Sequence, residues 1–147
     1  MKIDKLFNGL KHIANGDYVL EGDLISEETI EIDLDDRFVV NGRIWAKKSI
    51  VVRYGIEAGC GIEAGWGIEA GEGIKAGCGI EAGEGIEAGE GIKTKTFINA
   101  RKRIFAGISI YRTSKNCDKT IRCAELRNGE ICYGDLTLTK EAQNDEG

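Results

Sequence analysis

The sequence predicts an all-β fold, a single-stranded parallel β-helix (triangular β-solenoid) with about 18 residues per coil. Residues 55–92 repeat a six-residue unit in which Ile and Ala are separated by Glu or Lys and followed by Gly. Residues at i and i+2 lie on one face of a strand, so Ile and Ala point inward. Identities also recur at three times the period of the unit, as in Cys60 and Cys78 or Lys75 and Lys93. Three sides therefore complete one coil.

The six-residue period extends beyond the obvious repeat. Large apolar residues occupy every sixth position from Ile32 through Ile110, and a smaller residue follows most of them two positions later. We therefore expect the β-solenoid over residues 32–112, as fourteen strands in about 4.7 coils. An isoleucine ladder beside an alanine ladder would fill its interior. Glycines bracket each corner, where we expect them to supply positive φ angles.

Both ends of the solenoid have a different character, which we interpret as caps because an open coil end is an unpaired strand edge. Residues 1–31 form the predicted N-terminal cap, with a short helix over residues 2–14 that ends at Gly16. Its apolar residues at helical spacing are Ile3, Leu6, Phe7, Leu10 and Ile13. Residues 113–140 form the predicted C-terminal cap, a β-hairpin around Asn128-Gly129, which is a type I′ turn signal. With a loose tail at residues 141–147, the chain is one domain.

Composition excludes several classes of site. His12 is the only histidine, so multi-histidine zinc sites are impossible, and we expect neither a metal nor a cofactor. The five cysteines lack C-x-x-C spacing and are interpreted as mostly free thiols of a reducing compartment. Cys60 and Cys78 either stack as free thiols or form a disulfide. The chain has no long apolar run and no apolar signal core at its start, so we expect a soluble cytoplasmic protein.

Charge is distributed unevenly along this chain of net charge −5. Residues 55–92 hold eight glutamates against Lys75 alone, whereas residues 93–103 hold five basic residues and no acid. Coils of the predicted length would mix charges on one side, through Glu57, Lys75 and Lys93, and stack carboxylates elsewhere. The candidate binding residues are Glu63, Glu69, Glu72, Glu81, Glu84, Glu87 and Glu90. These carboxylates are either a solvated face of an expanded repeat or a surface that imitates nucleic-acid phosphates for a basic partner.

Trp66 is the remaining candidate binding residue. It stands at a corner between two glycines, where the repeat offers nothing to bury it, and its expected neighbours in the stack are Lys48, Glu84 and Lys102. Such a tryptophan either anchors a protein interface or forms a cation–π contact with Lys102.

Two resemblances bear on function. The stretch GRIWAKKSIVV at residues 42–52 resembles bactofilins, bacterial β-helical proteins that polymerise, and the similarity covers residues 38–110. The whole chain is more similar to short G-x-I-x-A-G repeat proteins of gut bacteria and their phages. That resemblance includes IFAGISIYR at 104–112 and the TIRCAEL and ICYGDL segments. No activity is established for that group, but small acidic phage proteins of this kind include inhibitors of host defence nucleases, such as anti-CRISPR proteins.

Three hypotheses of function follow. The first is a non-enzymatic interaction protein, a rigid acidic solenoid that binds a protein with a basic surface or nucleic-acid channel. Its most specific form is a phage-type, anti-CRISPR-like inhibitor of a nucleic-acid-handling enzyme, acting by nucleic-acid mimicry or steric block. The acidic faces predict neither direct nucleic-acid binding nor a membrane partner, and a homodimer is compatible with them.

The second hypothesis is a self-assembling, bactofilin-like scaffold, and the third is a hexapeptide-repeat acyltransferase. Those enzymes place a small residue four positions after the inward aliphatic residue, where this chain has Cys, Trp or Glu. They also need a general base near a cleft, whereas His12 falls in the N-terminal cap. We therefore predict that the chain is not an enzyme.

Overall fold

The structure, a computed structural model, describes residues 1–107 and 118–139, and the regular elements of these residues are all β-strands. The strands, in chain order, are β1 (Lys2–Ile3), β2 (Lys11–His12), β3 (Tyr18–Leu20), β4 (Leu24–Ser26), β5 (Ile30–Ile32), β6 (Phe38–Val40), β7 (Ile44–Ala46), β8 (Ile50–Val52), β9 (Ile56–Ala58), β10 (Ile62–Ala64), β11 (Ile68–Ala70), β12 (Ile74–Ala76), β13 (Ile80–Ala82), β14 (Ile86–Ala88), β15 (Ile92–Thr94), β16 (Phe97–Ala106), β17 (Thr120–Cys123), β18 (Glu125–Tyr133) and β19 (Asp135–Leu138). Within those residues, no helix has the length and apolar character needed to cross a membrane. The predictions for Ile110 and for the loose tail lie outside the described residues.

Parallel strands stack in three columns and form a β-solenoid of about six turns with roughly 18 residues per turn. Side A holds β3, β6, β9, β12, β15, β17 and β19. Side B holds β4, β7, β10, β13 and the first half of β16, and side C holds β5, β8, β11, β14 and the second half of β16. The segments between sides are the AB, BC and CA corners. The predicted parallel β-solenoid is confirmed.

Each strand of the repeat buries its first and third residues and turns the second toward solvent. Ile62 pairs in register with Ile80, and Ala64 with Ala82, so that both ladders continue from coil to coil. All of these side chains are buried. Burial of an isoleucine side chain contributes about 1.5–3 kcal/mol, which makes the inner ladder the main source of stability. The predicted isoleucine and alanine ladders are confirmed.

The first complete coil is longer than the repeat predicts. Strands β3, β4 and β5 pair with β6, β7 and β8, and paired positions such as Ile30 and Ile50 lie further apart in sequence than those of the repeat. The two additional residues belong to the CA corner at residues 33–37, where Leu34 is buried. The inward residues of β5 are thus Ile30 and Ile32, whereas the six-residue period had assigned Ile32 and Leu34. Solenoid strands therefore stack from residue 18 onward.

The predicted N-terminal helix is wrong. Strand β1 pairs in parallel with β5, and β2 pairs antiparallel with β3, so residues 1–16 cover two strand edges of the first coil. Ile3 is fully buried, whereas Leu6, on the same predicted helix face, is 92% exposed. A helix of this length is marginal on its own, and exposed strand edges offer its backbone stronger hydrogen-bond partners.

The predicted C-terminal hairpin is also wrong. Strand β17 pairs in parallel with β15, β18 with β16, and β19 with β17, so the chain continues to wind coils. Asn128 and Gly129 lie inside β18, where its register against β16 shifts, and Gly129 has a φ of 128°. The glycine therefore lies at an irregularity in the pairing of β18 with β16 and not in a two-residue turn.

The corner glycines of the repeat are required for a reason other than the one expected. The glycines of residues 55–91 have no positive φ. A Cβ at Gly83, which follows an alanine, would instead overlap the carbonyl oxygen of Gly65 in the preceding coil. A Cβ at Gly73, which precedes an isoleucine, would lie 3.4 Å from the carbonyl oxygen of Gly91. Close approach of successive coils, and not backbone strain, thus selects glycine after alanine.

Candidate functional site

Two ladders of carboxylates run along the outside of the repeat. Glu63 pairs in register with Glu81 on side B, and Glu69 pairs with Glu87 on side C. Adjacent strands lie about 4.8 Å apart, where two unit charges repel by about 1 kcal/mol even with water-like screening. Among the described residues, these four glutamates take part in no ion pair. Both ladders therefore present negative charge that this part of the chain leaves uncompensated.

The two ladders differ in their surroundings. On side B, the side-chain amide of Asn99 donates a hydrogen bond to Glu81 at 3.1 Å. On side C, partial burial and the neighbouring Glu69 raise the pKa of Glu87. A raised carboxyl pKa means that the surroundings disfavour the charged form. A cation beside Glu87 would offset this penalty.

Side C also lines an open groove of about 1090 Å³. Four outward residues of successive strands contribute to it, in the order Val51, Glu69, Glu87 and Phe105. Along this column, the groove thus has two carboxylates at its centre and an apolar side chain on either side of them. Such a surface fits an extended segment that carries a basic residue between two apolar ones.

A basic border of the same groove was predicted only in part by the sequence analysis. Arg101, Lys102 and Arg103 line its C-terminal end together with Glu130, which pairs in register with Arg103. Lys102 Nζ lies 3.5 Å from Glu84 Oε2. The coil period places Lys102 one coil after Glu84, and the sequence analysis had put both residues in one stack. Arg101 and Arg103 had not been assigned to this surface. The groove therefore has an acidic part and a basic part, and we call it the bipolar groove.

The predicted glutamates do not form a single surface. The structure places Glu69, Glu84 and Glu87 in the groove, Glu63 and Glu81 on side B, and Glu72 and Glu90 in the CA corner. The last two are stacked, since the amide of Glu90 donates to the carbonyl oxygen of Glu72 at 3.2 Å. Three of the seven candidates therefore share a site with one another.

Trp66 lies in the BC corner and is 51% exposed. Its backbone amide donates to Lys48 at 3.1 Å and its carbonyl oxygen accepts from Glu84 at 2.8 Å, so these two expected stack neighbours are confirmed. The cation over the indole ring is Lys48, with Nζ 5.8 Å from the centroid, and not Lys102, whose ammonium group lies beside Glu84. Half of the tryptophan surface stays available to a partner.

Metal and imidazole chemistry have little support in the described ranges. Residues 1–107 and 118–139 contain no group of three or more His, Cys, Asp or Glu side chains arranged to hold a metal ion. His12 Nε2 lies 3.1 Å from the carbonyl oxygen of Gly16, and its ring stacks on Tyr18 at a centroid distance of 4.2 Å. The imidazole is thus part of the contact between β2 and β3.

No family model matches the chain, and neither a curated protein nor a solved structure matches it. The surface itself is therefore the starting point for assigning a function.

Proposed function

We propose that the chain is a non-enzymatic interaction protein whose carboxylate ladders bind a basic macromolecule. In its most specific form, the partner is a nucleic-acid-handling enzyme, and the solenoid acts as a phage-type, anti-CRISPR-like inhibitor. It would occupy a channel lined by Lys and Arg, either by imitating the nucleic-acid backbone or by blocking access.

The observation that carries this proposal is the contrast between the ladders and the rest of the same solenoid. In the preceding coils, Lys48 contacts Glu28 at 2.9 Å and Arg53 contacts Asp33 at 3.3 Å, one coil apart. Side A interrupts its own column with Lys75 next to Glu57. The fold thus accepts lysine or arginine at outward positions, yet sides B and C stack carboxylate on carboxylate. A basic partner supplies a reason for charge that folding does not require.

The bipolar groove refines the shape of that partner. Its segment opposite Glu69 and Glu87 has to be basic, whereas a segment opposite Arg101 and Arg103 has to be acidic or absent. This pattern favours a protein over a uniformly charged polymer. Trp66, half exposed, would add a hydrophobic contact at the adjacent corner.

Two double charge reversals test the proposal. Their effect is measured in DNA-cleavage assays with a panel of purified CRISPR nucleases. Glu69→Lys/Glu87→Lys changes side C and Glu63→Lys/Glu81→Lys changes side B. We expect inhibition to fall at least tenfold for one of them, and binding by the unmodified chain to weaken with salt. The control Glu21→Lys/Glu27→Lys alters net charge equally on two exposed carboxylates of the first coil.

The three variants give distinct outcomes. Loss of inhibition in a ladder variant, with inhibition retained in the first-coil control, supports nucleic-acid mimicry. Equal losses in all three variants, salt-independent binding, or no inhibition across the panel would contradict it. Circular dichroism of each variant distinguishes lost binding from lost folding.

The second candidate function, a self-assembling scaffold, has one observation in its favour. Among the described residues, β18 and β19 have a strand neighbour on one side only, and Tyr133 and Leu136 are exposed there. Open strand edges pair readily with further chains. Light-scattering molar mass that rises with concentration, with filaments in electron microscopy, would favour the scaffold, whereas a constant mass would argue against it.

A further inference from the structure

Two cysteines occupy the same corner position in adjacent coils. Cys60 and Cys78 each stand between two glycines in the AB corner, and both are exposed free thiols. The amide of Cys78 donates to the carbonyl oxygen of Cys60 at 3.0 Å. The strands that follow are paired in register, Ile62 with Ile80. The two cysteines therefore start from backbone positions one rung apart in a single column.

The neighbouring glycines leave no room for a side chain and so allow these two corners to lie close together. A Cβ at Gly77 would overlap the carbonyl oxygen of Gly59, and a Cβ at Gly79 would overlap the ring of Phe97. The Phe97 ring is itself covered by the guanidinium of Arg127, 3.8 Å from its centroid. Rungs about 4.8 Å apart fall within the Cα separations of disulfides, about 4.4–6.8 Å. The backbone separation at this corner is thus compatible with a bond between the two sulfurs.

We propose that Cys60 and Cys78 form a dithiol site that exchanges with low-molecular-weight disulfides and closes into an intramolecular disulfide across two coils. The Cys60 thiolate attacks one sulfur of the small disulfide, which releases one thiolate and leaves a mixed disulfide. The Cys78 thiolate then attacks the Cys60 sulfur and releases the second small thiolate. Two protein thiols are oxidised, one disulfide is reduced to two thiols, and the two protons pass to the released thiolates.

The other described cysteines are less suited to this exchange. Cys123 is buried, and burial raises the pKa of its thiol, which lowers the fraction of reactive thiolate. Cys132 is exposed but lies in β18, away from the AB corner of the repeat. The site is therefore a property of the glycine-flanked pair, and the carboxylate ladders do not take part in it.

Redox titration with glutathione and glutathione disulfide tests the proposal. The protein carries Cys117→Ser and Cys132→Ser so that thiols at these two positions do not react. Trypsin cuts after Lys75, between the two cysteines, and a disulfide would join peptide 54–75 to peptide 76–93 in mass spectrometry. We expect this linked pair as the main oxidised product.

The matched control moves the second thiol to another corner. Cys78→Ser/Glu84→Cys places it in the BC corner over Trp66 and retains one thiol at Cys60. We expect the equilibrium constant for closure to fall by about 100-fold, because this geometry prevents simultaneous engagement. Separate glutathione adducts on Cys60 and Cys78, or equal closure in the control, would overturn the proposal. Circular dichroism confirms that each variant is folded.

Discussion

In the first complete coils, residues 17–54, basic side chains of one turn contact acidic side chains of the turn before. Arg37 Nη2 lies 2.6 Å from Asp17 Oδ2, and Lys48 and Arg53 contact acids one coil away in the same manner. These ion pairs lie in the corners, whereas in the glycine repeat, residues 55–92, the outward strand positions of sides B and C pair glutamate with glutamate. The backbone hydrogen bonds and the apolar ladder are alike in both regions.

This difference separates the interactions that stabilise the stacked coils from the charged side chains on their surface. Stacking depends on the inner ladder and on the hydrogen bonds between rungs, both of which tolerate either charge pattern. Cross-coil ion pairs at the surface contribute little, about 0–1 kcal/mol each. Outward charge is therefore nearly free to vary with function, and its sign on sides B and C is informative for that reason.

The largest expected effect on stability comes from the close backbone contact between successive coils of the repeat. Gly83→Ala should destabilise the protein by about 2–3 kcal/mol, because its Cβ would overlap the carbonyl oxygen of Gly65. Gly73→Ala, with 3.4 Å to the nearest carbonyl oxygen, should change stability by less than about 1 kcal/mol. Urea unfolding measures both. Similar losses in the two variants would refute close approach as the reason for glycine after alanine.

Removal of the best-buried ion pair of the first coil should have an intermediate effect. Asp17 is 7% exposed, so Arg37→Ala leaves its carboxylate without its charged partner and also removes the 3.4 Å contact with Glu57. We expect a loss of about 1–2 kcal/mol in thermal or urea unfolding. Arg53→Ala, which breaks an exposed pair with Asp33, should cost less than about 1 kcal/mol. Equal costs would show that burial of Asp17 is unimportant.

A lysine introduced into the side C ladder should make this column resemble side A, where Lys75 lies next to Glu57. Glu69→Lys replaces a repulsive neighbour of Glu87 by an attractive one and should stabilise the protein by about 0.5–1 kcal/mol at low salt. High salt should diminish the gain. Glu57→Lys, placed next to Lys75, serves as the control and should destabilise. A gain that persists in high salt would point to a non-electrostatic cause.

Acid should act in opposite directions on the two regions, with the smallest expected effect. Hydrogen bonds from Lys5, with Nζ 2.7 Å away, and from the Tyr18 hydroxyl lower the pKa of Asp35 to about 2. A lowered pKa stabilises the folded state above the unfolded value of 3.8, and this contribution is lost as pH falls from about 4 to 2. Glu87, whose pKa is raised, instead loses an unfavourable charge when it is protonated.

The measurement is the difference in urea midpoint between the unmodified chain and Asp35→Asn. We expect a difference near neutral pH that disappears by about pH 2. For Glu87→Gln, which removes the disfavoured charge, the variant should equal or exceed the unmodified chain near neutral pH and converge with it in acid. A difference that does not depend on pH would contradict the assignment of these two carboxyl groups.

The places where sequence reasoning failed have two causes. Ile32 was assigned a register two positions off because the six-residue rule was extended through a corner that holds two additional residues. The pairs Tyr18 with Phe38 and Leu24 with Ile44 carried the correct, longer spacing in the sequence. At the C-terminus, Asn128-Gly129 has the composition of a tight turn, but the segment that contains it pairs in parallel with β16 as strand β18. Hydrogen bonds with strands far away in sequence outweighed this local signal.

The candidate site shows the same division. The stacking of Glu63 with Glu81 and of Glu69 with Glu87 could be predicted, because it follows from the coil period alone. The meeting of Glu84, Arg103 and Phe105 in one groove could not be seen from charge counts along the chain. It depends on which side of the solenoid each segment occupies after the last corner of the repeat.

The sequence by itself determined the coil length of the repeat, its inward ladders and its outward charge columns. These features repeat a local rule, alternation of side chains along a short strand, at a constant period. Only the tertiary structure decided the strand nature of both ends, the cation over Trp66 and the shape of the groove. Each of those depends on which residues of another coil pair with a strand edge or contact a side chain, and no local sequence pattern specifies those residues.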